Sequence, residues 1–117
     1  MYIIVLDTNI ILDTIKFKVD LFTELKRICE FNYTIAILDK TLKELENKPN
    51  SKLALRLLKK KKIKIIKTNK GYVDDLLFNL NENYIIATND KDLKRKLKKN
   101  NKKIITLRQK KYLIINN

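Results

Sequence analysis

Asp7 and Asp90 each stand at or just past the end of a short run rich in β-branched residues. Asp74-Asp75 and Glu44 lie a little further beyond two more such runs. The runs are Tyr2-Ile-Ile-Val-Leu6, Tyr84-Ile-Ile-Ala-Thr88, Ile63-Lys-Ile-Ile66 and Tyr33-Thr-Ile-Ala-Ile-Leu38. If they are parallel strands, their carboxyl ends share one edge of a sheet, which is where ligands bind in open α/β folds. Four passages from strand to helix then deliver at least one acid each to that edge. Carboxylates packed so closely repel, and some hold their protons unless a cation joins them. Donors that are all oxygen suit Mg²⁺ or Mn²⁺ rather than zinc. One or two such ions activate water and stabilise the oxygens of an in-line phosphodiester displacement.

The rest of the composition narrows the chemistry. The chain has 117 residues, 27 Lys+Arg against 13 Asp+Glu for a net +14, and no His. Without imidazole, Ser-His-Asp catalysis, His–His acid/base cleavage of RNA and His-ligated zinc are excluded. A hydrolase built from this chain works through carboxylates, Lys, Tyr or a hydroxyl. The single Cys29 excludes a disulfide framework and fits a reducing, cytoplasmic setting. The longest apolar runs are far too short to span a bilayer, so no membrane partner is expected. Met1 leads straight into a strand-like segment, without the pattern of a signal peptide.

The net charge favours a polyanionic partner, and RNA or DNA supplies one through Lys–phosphate contacts. Of the 27 basic residues 23 are Lys, in a chain also rich in Ile and Asn. That trio is what an AT-rich coding bias produces, so part of the excess is compositional. Two runs dominate: Lys59–Lys62 with Lys64 and Lys67, and Lys94-Arg95-Lys96 through Lys98, Lys99, Lys102 and Lys103. Each reads either as a solvated helix face or as a phosphate track toward the acids.

The elements that must position these residues alternate. A fifth strand is expected at Lys103-Ile-Ile-Thr-Leu107. Helical spacing appears in Val19, Phe22, Leu25 and Ile28; in Leu53, Leu57 and Leu58; in Leu76, Leu77 and Leu80; and in Leu93 and Leu97. The strands are almost continuously apolar, as strands covered on both faces are. The pattern predicts one α/β domain over residues 1–117 with a mostly parallel, five-stranded sheet. Tyr112-Leu-Ile-Ile115 is either a further short strand or a docked tail, and Pro49-Asn50-Ser51 separates two helices.

Each acid also has a plain structural reading. Asp7 and Asp90 are placed to cap the helices after them, as Asp39 is after the second strand. Asp74 and Asp75 complement a helix dipole. Glu44 beside Leu45 and Glu46 is an exposed helix residue in one register and a site residue in another.

Taken together, Ile3-Ile-Val-Leu-Asp7-Thr-Asn-Ile-Ile, Leu42-Lys-Glu44-Leu45, Val73-Asp74-Asp75-Leu-Leu and Ile86-Ala-Thr88-Asn-Asp90-Lys-Asp92-Leu-Lys-Arg resemble a PIN-domain ribonuclease. The resemblance spans essentially the whole chain, and Asp7-Thr-Asn9 and Ala87-Thr-Asn-Asp90 are its most specific pieces. It is nearest to short archaeal members related to eukaryotic pre-rRNA-processing endonucleases, and Leu107-Arg-Gln-Lys-Lys-Tyr-Leu113 strengthens that match.

The resemblance implies a three-layer α/β/α fold and metal-dependent endonuclease activity on single-stranded RNA. The cofactor would be Mg²⁺ or Mn²⁺. Asp7, Glu44, Asp74 and Asp90 would form the catalytic quartet. Asp7, Asp74 and Asp90 would be the metal ligands, with Asp75 and Asp92 as lesser alternatives. Asp74 is preferred to Asp75 because Leu77 and Leu80 share its helix face. Thr8 and Asn9 would orient Asp7, Thr88 and Asn89 would shape the opposite wall, and Lys94 and Arg95 would meet the substrate. Tyr72 would either stack on a base or anchor its loop. The family's roles, ribosomal RNA processing or the toxin half of a toxin–antitoxin pair, imply an assembly factor or an antitoxin as partner, and a homodimer. Two other classes remain open: a PIN-fold RNA-binding scaffold without cleavage, and an aspartyl-phosphate protein. The latter wants a second Asp two positions after Asp7, where this chain has Asn9.

Overall fold

The computed structural model describes residues 1–67 and 83–116. Its elements in chain order are β1 (Tyr2–Leu6), α1 (Thr8–Lys16), α2 (Leu21–Ile28), β2 (Tyr33–Leu38), α3 (Asp39–Glu46) and α4 (Ser51–Lys60). They continue with β3 (Lys64–Ile66), β4 (Tyr84–Ala87), α5 (Lys91–Lys99), β5 (Ile104–Arg108) and β6 (Tyr112–Asn116). The helix expected around Leu76, Leu77 and Leu80 lies outside the described residues.

The strands form one sheet in the order β3-β2-β1-β4-β5-β6, parallel except for the β5–β6 hairpin. The sheet thus has six strands rather than five. The extra one is the Tyr112–Ile115 segment, which pairs with β5 from Ile104↔Asn116 to Arg108↔Tyr112. Among the described residues it has no further sheet neighbour, and side chains of α2 engage it instead. Glu24 Oε1 accepts from the Leu113 amide at 2.9 Å, and Arg27 Nη2 donates to the Leu113 carbonyl at 2.9 Å. Satisfying both backbone groups in this way blunts an edge strand against further pairing.

Side-chain alternation distributes the core over both faces of the sheet. Ile4, Leu6, Ile37, Ile85, Ala87 and Ile105 point to one face, against Ile10, Ile11, Leu25, Leu45 and Leu58 from α1–α4. Val5, Leu38, Ile86 and Ile104 point to the other, against Leu93 and Leu97 of α5. The result is three layers, α/β/α. It explains why the central strands β1 and β4 read as unbroken apolar runs: their carboxyl-end halves are buried on both faces.

Helix ends show the cost of a chain with one Gly. Lys18, Lys62 and Asn101 have φ of 56°, 54° and 57°. Each follows a helix whose last turn closes by a six-to-one bond: Val19 N to Thr14 O, Ile63 N to Leu58 O and Lys102 N to Leu97 O. Gly usually takes this left-handed position, since a Cβ is disfavoured there. Two expected boundaries also shift. Asp20 caps α2 through Thr23, which leaves Val19 outside that helix. Asp39 is the first residue of α3 rather than its cap; its Oδ1 accepts from the Lys40 amide at 2.8 Å.

Candidate active site

Strand register assembles the site. Leu6 lies opposite Ala87, and the ladder runs one step further through Asp7 N to Ala87 O at 2.9 Å and Thr88 N to Ile105 O at 2.9 Å. Asp7 and Thr88 are therefore neighbours across the carboxyl ends of β1 and β4. The Thr88 hydroxyl donates to Asp7 Oδ2 at 2.8 Å, and the Thr8 amide donates to Asp7 Oδ1 at 2.8 Å. Each oxygen of the carboxylate has its own donor, which fixes the plane of the group. Asp7 is at once the cap of α1 and a positioned acid, so the capping and functional readings are compatible.

Two further acids are tied to this centre. The Thr8 hydroxyl donates to Glu44 Oε2 at 2.8 Å, holding α3 to the start of α1. In α3 the buried residues are Thr41 and Leu45, which leaves Glu44 at the rim with its carboxylate turned to Thr8. Asp90 caps α5, with Oδ1 accepting from the amides of Asp92 at 2.9 Å and Leu93 at 3.1 Å. Its own amide donates to Thr88 Oγ1 at 3.1 Å. The buried Thr88 hydroxyl thus gives its proton to Asp7 and accepts one from the loop that carries Asp90.

The electrostatics agree with this convergence. Burial pushes the Asp7 carboxyl above the ordinary aspartate range, and the charges of Glu44 and Asp90 push it the same way. The bonds from Thr88 and Thr8 pull against that shift without cancelling it. Among the described residues, no group of three or more acids is gathered closely enough to hold a metal ion alone. Asp74, Asp75 and Tyr72 lie outside the described residues. Asp7, Glu44 and Asp90 are three of the four expected acids, with oxygen donors throughout.

The remaining expected residues are distributed unevenly. Asn9 is exposed on the first turn of α1, and Thr8 and Thr88 are the residues that grip Asp7. Asn89 has both ends of its amide engaged: Nδ2 donates to Asp13 Oδ2 at 3.2 Å, and Oδ1 accepts from the Leu107 amide at 2.9 Å. It clamps α1 to the end of β5. Asp92 turns to solvent and pairs with exposed Arg95 at 2.9 Å. Lys94 and Arg95 lie within the first turns of α5, at the acid edge. Asp13 is a residue that motif reading passes over. Its only signal in the sequence is its place six residues after Asp7 on the same helix.

Apart from Lys94 and Arg95, and Lys67 just past β3, the two lysine runs lie elsewhere. Lys59–Lys62 end α4 and lead into the amino end of β3, and Lys98–Lys103 lead into the amino end of β5. Lys103 Nζ donates to the Tyr2 hydroxyl at 3.1 Å, at the start of β1. Most of both runs therefore sits toward the opposite end of the sheet from the acids.

Residues 4–110 match the family described as PIN like domain. The chain is 39% identical over 127 aligned residues to ribonuclease VapC4 of Methanocaldococcus jannaschii, covering 98% of this chain and 97% of that protein. Its structure superposes on that of the PIN domain endonuclease Utp24 with a TM-score of 0.85 and 28% identity. That match covers 98% of this chain and 91% of the other.

Proposed function

The chain belongs to the PIN-domain ribonuclease family, and on that premise we propose that it is an endoribonuclease hydrolysing phosphodiester bonds of single-stranded RNA at the Asp7 centre. One observation carries this reading: Asp7 is buried and gripped by both oxygens while the like charges of Glu44 and Asp90 reach it. A fold gains no stability from gathering acids around a buried carboxylate, whereas a site that awaits a divalent cation needs that arrangement.

The donor set fits Mg²⁺ or Mn²⁺, with Asp7, Asp90 and Asp74 as the residues that would hold it. When bound, the ion supplies an activated water and neutralises charge on the scissile phosphate. The protein's own contribution is orientation. Thr8 and Thr88 present the remaining lone pairs of Asp7 in one fixed direction. Thr8 also fixes Glu44, which would accept a proton from the attacking water. Asn89 braces the wall that carries Asp90, and Lys94 and Arg95 meet the phosphates beside the cut. An antitoxin or a ribosome-assembly factor would be the partner that controls access.

The test uses a labelled single-stranded RNA incubated in Mn²⁺, Mg²⁺ or EDTA with wild type and with Asp7→Asn prepared identically. Cleavage that needs the ion and is lost in the variant is the expected result. RNA binding without cleavage under any metal would instead make the protein a scaffold.

A further inference from the structure

Beyond the acid centre, one surface combines an aromatic ring outside the core with several cations. Phe17 ends α1, is half-buried and, among the described residues, packs with neither hydrophobic cluster, unlike Phe22 and Phe31. Lys110 Nζ lies 5.0 Å and Lys16 Nζ 5.4 Å from the centre of its ring. Lys110 sits at the tip of the β5–β6 hairpin between Arg108 and Lys111, in a turn closed by Lys111 N to Arg108 O at 3.1 Å. From this feature we propose that the end of α1 and the β5–β6 turn form a subsite for an unpaired stretch of RNA. A base lies against Phe17, and the adjoining phosphates meet Lys16, Lys110 and Arg108. The proposal rests on the reading of the chain as a ribonuclease and names where its substrate runs.

Position supports it first. Thr88 bonds to Ile105, so Arg108 stands three residues past the β5 residue that meets Thr88. At about 3.3 Å per residue, the turn projects roughly 10 Å beyond that level, on the acid side of the sheet. Asn89, next to Asp90, bonds to both Leu107 and Asp13 and so ties the two halves of the platform to the flank of the acid centre.

The chemistry is the second support. A ring with cations beside it offers what single-stranded RNA needs: a flat apolar face for a base and charge for the backbone. The backbone is the third. Gln109 and Lys110 have φ of 53° and 57°, the pair of left-handed positions for which hairpins favour Asn-Gly. Lys110 keeps a charge at a position where Gly would relieve the backbone. Lys62, also left-handed but leading into the amino end of β3, serves as its control.

The experiment measures anisotropy of a labelled unstructured RNA in EDTA, so that nothing is cut, with the full chain and its variants. Phe17→Leu is expected to weaken binding about tenfold, the usual loss of one stacked base. Lys110→Gly is expected to reduce the slope of log affinity against log salt by about 0.7, one phosphate contact on a single strand, while melting no lower than wild type. Lys62→Gly should leave both the affinity and the slope unchanged. If Phe17→Leu and Lys110→Gly bind as wild type does, the subsite is refuted. The ribonuclease reading then still stands on metal-dependent cleavage lost in Asp7→Asn. If those variants lose binding but wild type never cuts, the subsite holds and the enzyme reading falls. Wild type that binds no RNA overturns both.

Discussion

The two ends of the sheet use charge in opposite ways. At the carboxyl ends, Asp7, Glu44 and Asp90 are held by hydrogen bonds that join residues 36 and 81 positions apart, and burial pushes Asp7 up. At the amino ends, lysines are plentiful and mostly open to water, with Lys103 set over the Tyr2 ring at 4.7 Å. Three of the 13 acids are brought to one edge by the fold, whereas most of the many lysines emerge at the other. Net charge therefore says little about where this protein acts. In a +14 chain the proposed centre is locally acidic, and the basic residues proposed to serve it are the few at the same edge: Lys94, Arg95 and the hairpin turn.

Glu44→Gln gives the largest expected change on the acid side after loss of Asp7 itself. It keeps the shape and an oxygen for the Thr8 hydroxyl while removing one charge from the cluster. Cleavage is expected to fall by about a hundredfold, the usual loss when one preorganised electrostatic group is removed. Binding of RNA in EDTA should tighten slightly, since one repelling charge is gone. Unchanged cleavage would remove Glu44 from the site and leave it a rim residue of α3.

Thr88→Val probes the connection between the strands. It deletes the donor to Asp7 and the acceptor for the Asp90 amide in one isosteric step, at a fully buried position. Cleavage should drop about 10- to 100-fold, as for lost supports of metal ligands. Stability should fall by about 1–3 kcal/mol, because buried partners are left unpaired. Thr88→Ser, which restores the hydroxyl, is expected to recover most of the activity.

Much of this site is legible in the sequence, for a physical reason. Strands covered on both faces must be continuously apolar, and in a parallel sheet their ends converge, so Asp7 and Asp90 stand out as candidates by position, whereas Glu44, on a helix of open register, does not. Register is harder to read. That Thr88 faces Asp7, or that Asn89 reaches Asp13, follows from the alignment of β1, β4 and β5 to one residue. The sixth strand is ambiguous for the same reason: Tyr112–Ile115 is a strand because it pairs with β5, and Glu24 and Arg27 then seal Leu113 on its outer edge. The lysine runs mislead because charge patterning marks a solvated surface without saying at which end of a strand it emerges.

The acid centre also leaves a mark on stability. A carboxyl whose pKa is raised on folding binds its proton more tightly in the native state. Its contribution is favourable at low pH and is lost as pH climbs from the ordinary aspartate value through the raised one. Asp7→Asn removes that penalty, so at pH 7 without metal the variant should melt higher than wild type. The gap should close near pH 3. Divalent ion should narrow it too, because cation binding stabilises the wild type by mass action while the variant has lost a ligand. Thermal melts at both pH values, with and without Mg²⁺, check each part.

The smallest expected effect belongs to the other end of the sheet. Replacing Lys59, Lys60 and Lys61 together by Gln lowers the net charge from +14 to +11. If total charge drew RNA to the protein, that loss would weaken binding several-fold. With the acid edge and the hairpin turn as the contact surface, these lysines act only through solvent. At about 0.1 M salt such interactions fade over roughly 10 Å. RNA affinity at that salt should then change by less than about twofold, and the slope with salt should stay as in wild type. At about 0.01 M salt, where the screening length is near 30 Å, the same variant should show a clear loss. A large loss already at 0.1 M would make the α4 end part of the RNA path and erase the distinction between the two ends.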